Sequence, residues 1–443
     1  MKRNTDLIFQ HLLWRGLYFF SVLFLNIGIA RFFAAEKSGQ IFFIVNNLAL
    51  ILLFVSISLE SGAAFYIASG TLDASLMAHF CLLWATAASL IALAGWWTIL
   101  YFSHSVYLAD PEFLLTSFLF ILGVLFTTYF TALFYAKKEF SLPNKILFGV
   151  NIFLIVLLVI GRNQSIIRVH FIQIYFSCFF IQGWLLRVFF FRKYSFSGVR
   201  MFPPGPLLKK VIRYSLVALV ANLIYFLVNR IDYWFVEYYC SAKDLGNYIQ
   251  ASKLGQMLLI LPSILGSTLF PIFSSQKKSG TGNTPQLTSV IRILLWINAG
   301  ICFLILCSGW YIFPLVFGTS FNRMYLLFAL LIPGILSFTM NYPLAAWFSA
   351  GNRIALNIRG SLLALLIIFT GDLLILPYYG VLFAPIISSA GYFCYYCYMA
   401  YRYRKENSVT WRDFLFIRKS DLSRIREAVR TKIQEPGAGN RVF

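Results

Sequence analysis

About twelve apolar stretches, each near the roughly 20 residues a helix needs to cross a bilayer, follow one another through this chain. They occupy 10–33, 41–68, 75–103, 111–136, 142–160 and 166–191, then 211–236, 246–273, 288–315, 322–349, 354–376 and 379–401. Hydrophobic residues make up 60% of the sequence and charged ones 12%, against roughly 45–50% and 25% in soluble domains. No single water-soluble core could absorb that surplus. Within lipid the backbone must satisfy its own hydrogen bonds, which leaves helices or a closed barrel. A barrel alternates over roughly 10-residue segments, and unbroken apolar runs of twice that length predict helices. The expected fold is an all-α polytopic membrane protein of about 12 helices. The opening MKRNTDLIFQHLLWRGLYFF runs on without a short apolar core and small-residue exit, so it reads as an uncleaved first span.

The net charge of +21 raises the question of nucleic acid. With the N-terminus inside, about 28 of the 37 Lys and Arg fall in inner segments and about 6 in outer loops. This asymmetry sets topology and places both termini in the cytoplasm. The basic inner segments then face anionic lipid headgroups, and no nucleic-acid partner is expected. The seven Cys lie mostly in spans and read as small buried residues. CYYC at 394–397 has redox or metal spacing but no second pair or neighbouring His. No metal and no cofactor are expected.

A basic loop punctuated by Pro and Gly, FRKYSFSGVRMFPPGPLLKK (191–210), follows the sixth span. It divides the chain into an N-terminal lobe of helices 1 to 6 (1–195), a C-terminal lobe of helices 7 to 12 (196–405) and a basic cytoplasmic tail (406–443). FAAEKSGQIFF (33–43) and CSAKDLGNYIQ (240–250) form comparable corners, aligning Gly39 with Gly246. Six crossings separate them, so a duplication would be parallel rather than inverted. In-span prolines gather in the second half and predict more bent helices there. In the tail, SDLSRIREAVRTKIQE (420–435) predicts a short amphipathic helix on the headgroup surface.

Ionisable groups inside a membrane are costly and mark sites or internal pairs. Glu60 lies deep in the second span, on a face with Ser56, Leu53 and Asn46, and either pairs with another helix or carries a proton. In the seventh span Asn222, Tyr225, Asn229 and Asp232 share one helical stripe, flanked by Arg230. Such a stripe lines a wet cavity or a polar seam. Lys253, with Gln250 and Gln256, stands two turns into the eighth span, and Arg15 shares the first span's inner part with Tyr18 and Asn26. Asp372 and Arg353 rank lower because they fall near span ends. Together the cations on helices 1, 7 and 8 would suit a phosphate-bearing ligand. A phosphate-binding G-x-x-x-x-G-K-[ST] loop, a G-x-S-x-G elbow and an H-E-x-x-H helix are all missing. Without a large soluble domain, transport is favoured over synthesis.

The run NRIDYWFVEYYCSAKDLGNYIQASKLGQMLLILPSILGSTLFPIFSS (229–275) resembles helices seven and eight of the polysaccharide flippase family, the Wzx-type O-antigen and related exporters of the MATE-like MOP superfamily. The matching features are Asp232, Gly246, Tyr248, Phe270, Pro271 and the basic Lys277 and Lys278. NIGIARFFAAEKSGQIFFI and SLESGAAFYIASG resemble the family's first corner and second helix, with Glu60 at its commonly acidic position. The resemblance implies two six-helix lobes around a central cationic cavity that opens alternately to each side. It implies a transporter rather than an enzyme, one that flips undecaprenyl-pyrophosphate-linked oligosaccharide across a bacterial inner membrane for lipopolysaccharide or similar polysaccharide biosynthesis. Arg15, Arg230, Lys253, Asn222 and Asn229 would then contact substrate, and Glu60 and Asp232 would couple ion movement or pair with the cations. The partners it implies are the lipid-linked glycan and other polysaccharide-assembly proteins. A MATE-type drug antiporter is the nearest alternative, and a membrane glycan polymerase or transferase the next.

Overall fold

The computed structural model describes residues 2–104, 106–194, 202–278, 284–407, 409–416 and 418. The amphipathic helix expected at 420–435 lies outside them. Among the described residues the regular structure is entirely helical, and ten helices are long and apolar enough to cross a membrane. The first of these, Leu13–Ser56, has 44 residues, or about 66 Å of helix, twice a hydrocarbon core. It is interrupted at Ala34, whose φ is 60°. The twelfth expected span, with six tyrosines and a basic end, is a helix of 25 residues, Phe383–Asn407. The chain is thus an all-α, multi-pass membrane protein.

The chain forms two compact units. The first comprises Met1–Leu227 with Leu315–Ser320. Its helices are α1 (Lys2–Ser56), α2 (Leu59–Ala68), α3 (Ala74–Phe102), α4 (Pro111–Ala136), α5 (Ser141–Ile160), α6 (Ser165–Lys193) and most of α7 (Gly205–Arg230). Their starts are written locally. The Asp73 carboxylate accepts from the Ser75 and Leu76 amides at 2.8 and 3.2 Å, and Asp110 caps α4 with Pro111 in its first turn. In lipid, helices associate by close packing rather than by hydrophobic transfer. Gly123 of α4 and Gly183 of α6 allow backbone contact there: a Cβ on Gly183 would stand 2.1 Å from the Gly123 carbonyl oxygen. Phe120 stacks on Phe176 at 4.5 Å, and Phe113 meets the same ring at a tilt, 6.1 Å away. Residues 315–320 are held in this unit by Arg31, which donates to the Leu315 and Val316 carbonyls, and by the Ala35 amide, 3.1 Å from Ser320 Oγ.

The second unit comprises Val228–Pro314 and Phe321–Phe443. Its helices are α8 (Asp232–Tyr239), α9 (Ala242–Leu258), α10 (Ile260–Lys278), α11 (Thr284–Phe317, up to Pro314), α12 (Met324–Ala350), α13 (Ile354–Tyr379), α14 (Phe383–Asn407) and the short α15 (Arg412–Leu415). Pro314, Pro333, Pro343 and Pro377 lie inside α11, α12 and α13. Small residues again set the crossings. A Cβ on Gly334 of α12 would meet the Ser389 Cα of α14 at 2.7 Å, and one on Gly391 would meet Ile368 of α13 at 2.7 Å.

Past α14 the chain folds back and docks. Phe414 is fully buried, its ring 6.0 Å from Tyr403 and 6.4 Å from Tyr396 and Trp411. Arg292 of α11, only 2% exposed, donates to the Asp413 carbonyl, and Trp296 Nε1 donates to that of Leu415 at 2.9 Å. Partial burial disfavours the charged Asp413 carboxyl, but hydrogen bonds from Thr410 and the nearby Arg418 and Arg292 outweigh it and hold the group below the usual carboxylate range. Truncating a buried Phe costs about 3–5 kcal/mol. Phe414→Ala is therefore expected to undock residues 409–416. Limited proteolysis should cleave there at least tenfold faster than in wild type, and an unchanged rate would show that the ring does not hold the strap.

Candidate functional site

In the first unit the candidate is Glu60. The expected second span does not continue as one helix: α1 stops at Ser56, and Ile57 and Ser58 have φ of 48° and 50°. A β-branched residue in the left-handed region is strained, and three side chains hold it. Trp84 Nε1 donates to the Val55 carbonyl at 3.0 Å, Tyr129 Oη to that of Ser56 at 3.2 Å, and Asn222 Nδ2 to Ser58 Oγ at 3.1 Å. The bend puts Glu60 in the first turn of α2, where the helix dipole favours a carboxylate. It also ends the helical spacing that would align Glu60 with Asn46. Glu60 Oε2 is buried without a hydrogen-bond partner, and no cation stands within ion-pair distance of Glu60 among the described residues.

In the second unit the seventh span runs on from α7 into α8 through Ile231, whose φ and ψ of −63° and −33° are helical, and Asp232 opens α8. Asp232 is 1% exposed. Its Oδ2 accepts from Tyr248 Oη of α9 and from Ser388 Oγ of α14, the latter at 2.9 Å, whereas Oδ1 is buried without a partner. Asp372 of α13 is fully buried, and neither of its oxygens has a hydrogen-bond partner. It lies close enough to Asp232 for the two carboxyls to interact electrostatically. Four elements thus bring two carboxyls and two hydroxyls into one enclosed spot, with no cation within ion-pair distance of either acid among the described residues. A buried carboxylate needs a compensating charge. Such a cluster can take a proton or a small cation.

Beside it is a polar network between α7, α8 and α9. Tyr233 Oη donates to Ser252 Oγ at 3.0 Å, and Gln256 Nε2 lies 3.4 Å from both Ser252 Oγ and the Asn229 carbonyl. Arg230 and Lys253 stand close enough for their charges to interact. A forked guanidinium and an ammonium on a flexible stem both suit phosphate oxygens better than a neutral ligand. Among the described residues no group of three or more His, Cys, Asp or Glu could hold a metal ion.

The residues singled out by sequence are therefore distributed. Arg15, Glu60 and Asn222 fall in the first unit, and Asn229, Arg230, Asp232 and Lys253 in the second. Arg15 is half-buried, with its guanidinium 5.9 Å from the Phe19 ring. The Asn222 to Asp232 stripe is divided: Asn222 reaches Ser58, whereas Asp232 reaches Tyr248 and Ser388. Sequence reasoning ranked Asp372 low, took Tyr248 only as a feature of the family resemblance and did not single out Ser388. Asp372 sits two helical turns before the end of α13, and a charge there reads as interfacial until α14 is seen to cover it. All seven cysteines, those of CYYC included, are unpaired.

A family model described as polysaccharide biosynthesis protein matches residues 181–326, a stretch containing Arg230, Asp232, Tyr248 and Lys253. No curated protein matches the chain. Among solved structures the chain is similar to the lipid II flippase MurJ in an inward closed conformation, with 15% identity and a TM-score of 0.67 over 95% of this chain and 93% of that one. It is similar to an inward-facing multidrug resistance MATE family transporter of the MOP superfamily, with 12% identity and a TM-score of 0.65 over 88% and 96%. A MOP superfamily transporter from Pyrococcus furiosus, described as having a binding pocket of reverse polarity that suggests a different function, matches with 10% identity and a TM-score of 0.61 over 91% and 95%. The fold is that of the MOP-superfamily transporters. The family match and the fold together support the resemblance to the polysaccharide flippases drawn from the sequence.

Proposed function

We propose that this protein is a flippase that moves an undecaprenyl-pyrophosphate-linked oligosaccharide, an O-antigen or similar repeat unit, from the cytoplasmic to the periplasmic leaflet of a bacterial inner membrane. It works by alternating access, without chemical change to the substrate, and draws on an ion gradient or the membrane potential. The observation that carries this reading is the match of residues 181–326 to the polysaccharide biosynthesis family, a segment that contains both Arg230 and Lys253. On this reading the pair engages the pyrophosphate, while Arg15, Asn222 and Asn229 contact phosphate or sugar. The Asp232, Asp372, Tyr248 and Ser388 cluster and Glu60 take up the driving cation or proton. Both termini lie in the cytoplasm, where the basic segments meet anionic lipid.

Each charge-assisted contact to phosphate contributes about 1.5–3 kcal/mol. Replacing both Arg230 and Lys253 by Ala is therefore expected to reduce glycan export about a hundredfold or more in a flippase-deficient strain, with normal protein levels in the membrane. Full export by the double variant would refute the pyrophosphate contact. One observation favours a second reading: the buried acids Glu60, Asp232 and Asp372 would also suit a cationic drug, and MATE transporters share the fold. If the same double variant kept or raised drug resistance conferred by the wild-type protein, the antiporter reading would replace the flippase one.

A further inference from the structure

At the end of α6 two arginines border an open cavity of about 330 Å³, lined by Arg187, Val188, Phe191 and Arg192. Arg187 lies six residues before the helix end at Lys193, about 9 Å up the axis. Its guanidinium is stacked 4.4 Å above the Trp184 ring and lies 5.9 Å from the Phe191 ring centroid. Its Nε is shielded from water and has no hydrogen-bond partner. Cation–π contacts orient a guanidinium but leave its donors unused. The nearby acid is already engaged, since Glu139 pairs with Lys193 at 2.6 Å and accepts from Tyr194 at 2.7 Å. Arg187 and Arg192 have no ion pair among the described residues.

An ordinary topology-setting arginine extends into water. Arg187 is instead held in place by two rings, with its inner donor turned into the protein. The same helix presents apolar surface toward lipid: Ile181 and Trp184 are about half exposed and Phe189 is 37% exposed. A ligand filling this site would need an anionic group of phosphate size for the two guanidinium forks and hydrocarbon to lie along Ile181 and Phe189.

We propose that Arg187 and Arg192 form a binding site for the headgroup of an anionic phospholipid, seated on the flank of the first unit. The site is independent of the transported substrate. Arg187 supplies the oriented fork and Trp184 fixes its plane. Arg192, exposed at the rim, adds the second charge.

The test is native mass spectrometry of the full-length protein released from nanodiscs of equal phosphatidylglycerol and phosphatidylethanolamine. Wild type is expected to retain phosphatidylglycerol selectively. A basic residue at a membrane surface contributes about fivefold to such binding, so Arg192→Ala should lower the selectivity about fivefold and Arg187→Ala at least as much. Arg187→Lys keeps the charge but loses the fork and should fall between wild type and Ala. Unchanged selectivity in Arg192→Ala, a variant at an exposed position that spares the fold, would overturn the proposal. So would displacement of the lipid by millimolar inorganic phosphate, which would assign the site to the free ion.

Discussion

Asp232→Asn and Asp372→Asn are each expected to reduce gradient-driven transport by at least about tenfold while the protein stays folded in the membrane. At an effective dielectric of about 20, a carboxylate 4 Å from a bound cation contributes about 4 kcal/mol, nearly a thousandfold in affinity. Tenfold is therefore a floor. Asn preserves shape, and its oxygen can still accept from Tyr248 Oη and Ser388 Oγ as Asp232 Oδ2 does. A purely structural acid gives the opposite result, because replacing an uncompensated buried charge by a neutral isostere is neutral or stabilising. Transport in proteoliposomes under imposed proton and sodium gradients separates the two. Undiminished flux in both variants would remove this cluster from the coupling machinery.

The second large effect is one of packing. Gly183→Ala is expected to prevent stable assembly of the first unit, because its Cβ would sit 2.1 Å from the Gly123 carbonyl oxygen and 2.9 Å from Phe126 Cβ. That clash is with backbone, so no rotamer change relieves it. Overpacking by one methyl group costs about 1–3 kcal/mol when side chains can yield, and more is expected here. Size-exclusion profiles in detergent should show aggregation or a large loss of folded protein. Gly149→Ala supplies the control. Nothing lies within 4 Å of a Cβ at that position in α5, and Ala is the better helix former there by about 1 kcal/mol. A Gly183→Ala protein that elutes and melts like wild type would show that α4 and α6 are not so closely joined.

Much of the fold was legible because a membrane span is written by length and apolarity alone. Asp232 and Lys253 stood out for the same reason, as charges where lipid allows few. The bends were not legible. Proline and glycine mark expected bends, yet backbone leaves the helical region at Ala34 and at Ile57–Ser58, positions without either. Sequence spacing therefore ran a helical face straight through Ser56 to Glu60, where the structure has a break. The bend before Glu60 is clamped by Trp84, Tyr129 and Asn222, all distant in sequence, and no local pattern announces such a clamp. Asp372 was undervalued for a related reason. Its burial depends on α14 lying against α13 where Gly371 makes room for Ile387, a relation between helices rather than a property of either.

The clamp at Ser58 also has a consequence for biosynthesis. Asn222, which donates to Ser58 Oγ, follows it by 164 residues. At roughly 5–20 residues per second, that partner leaves the ribosome about eight to thirty seconds later. Throughout that interval the nascent chain has Glu60 in or near the bilayer without one of the contacts that fix its position. The bend before Glu60 reaches its final form only once synthesis has moved past the linker and into the seventh span.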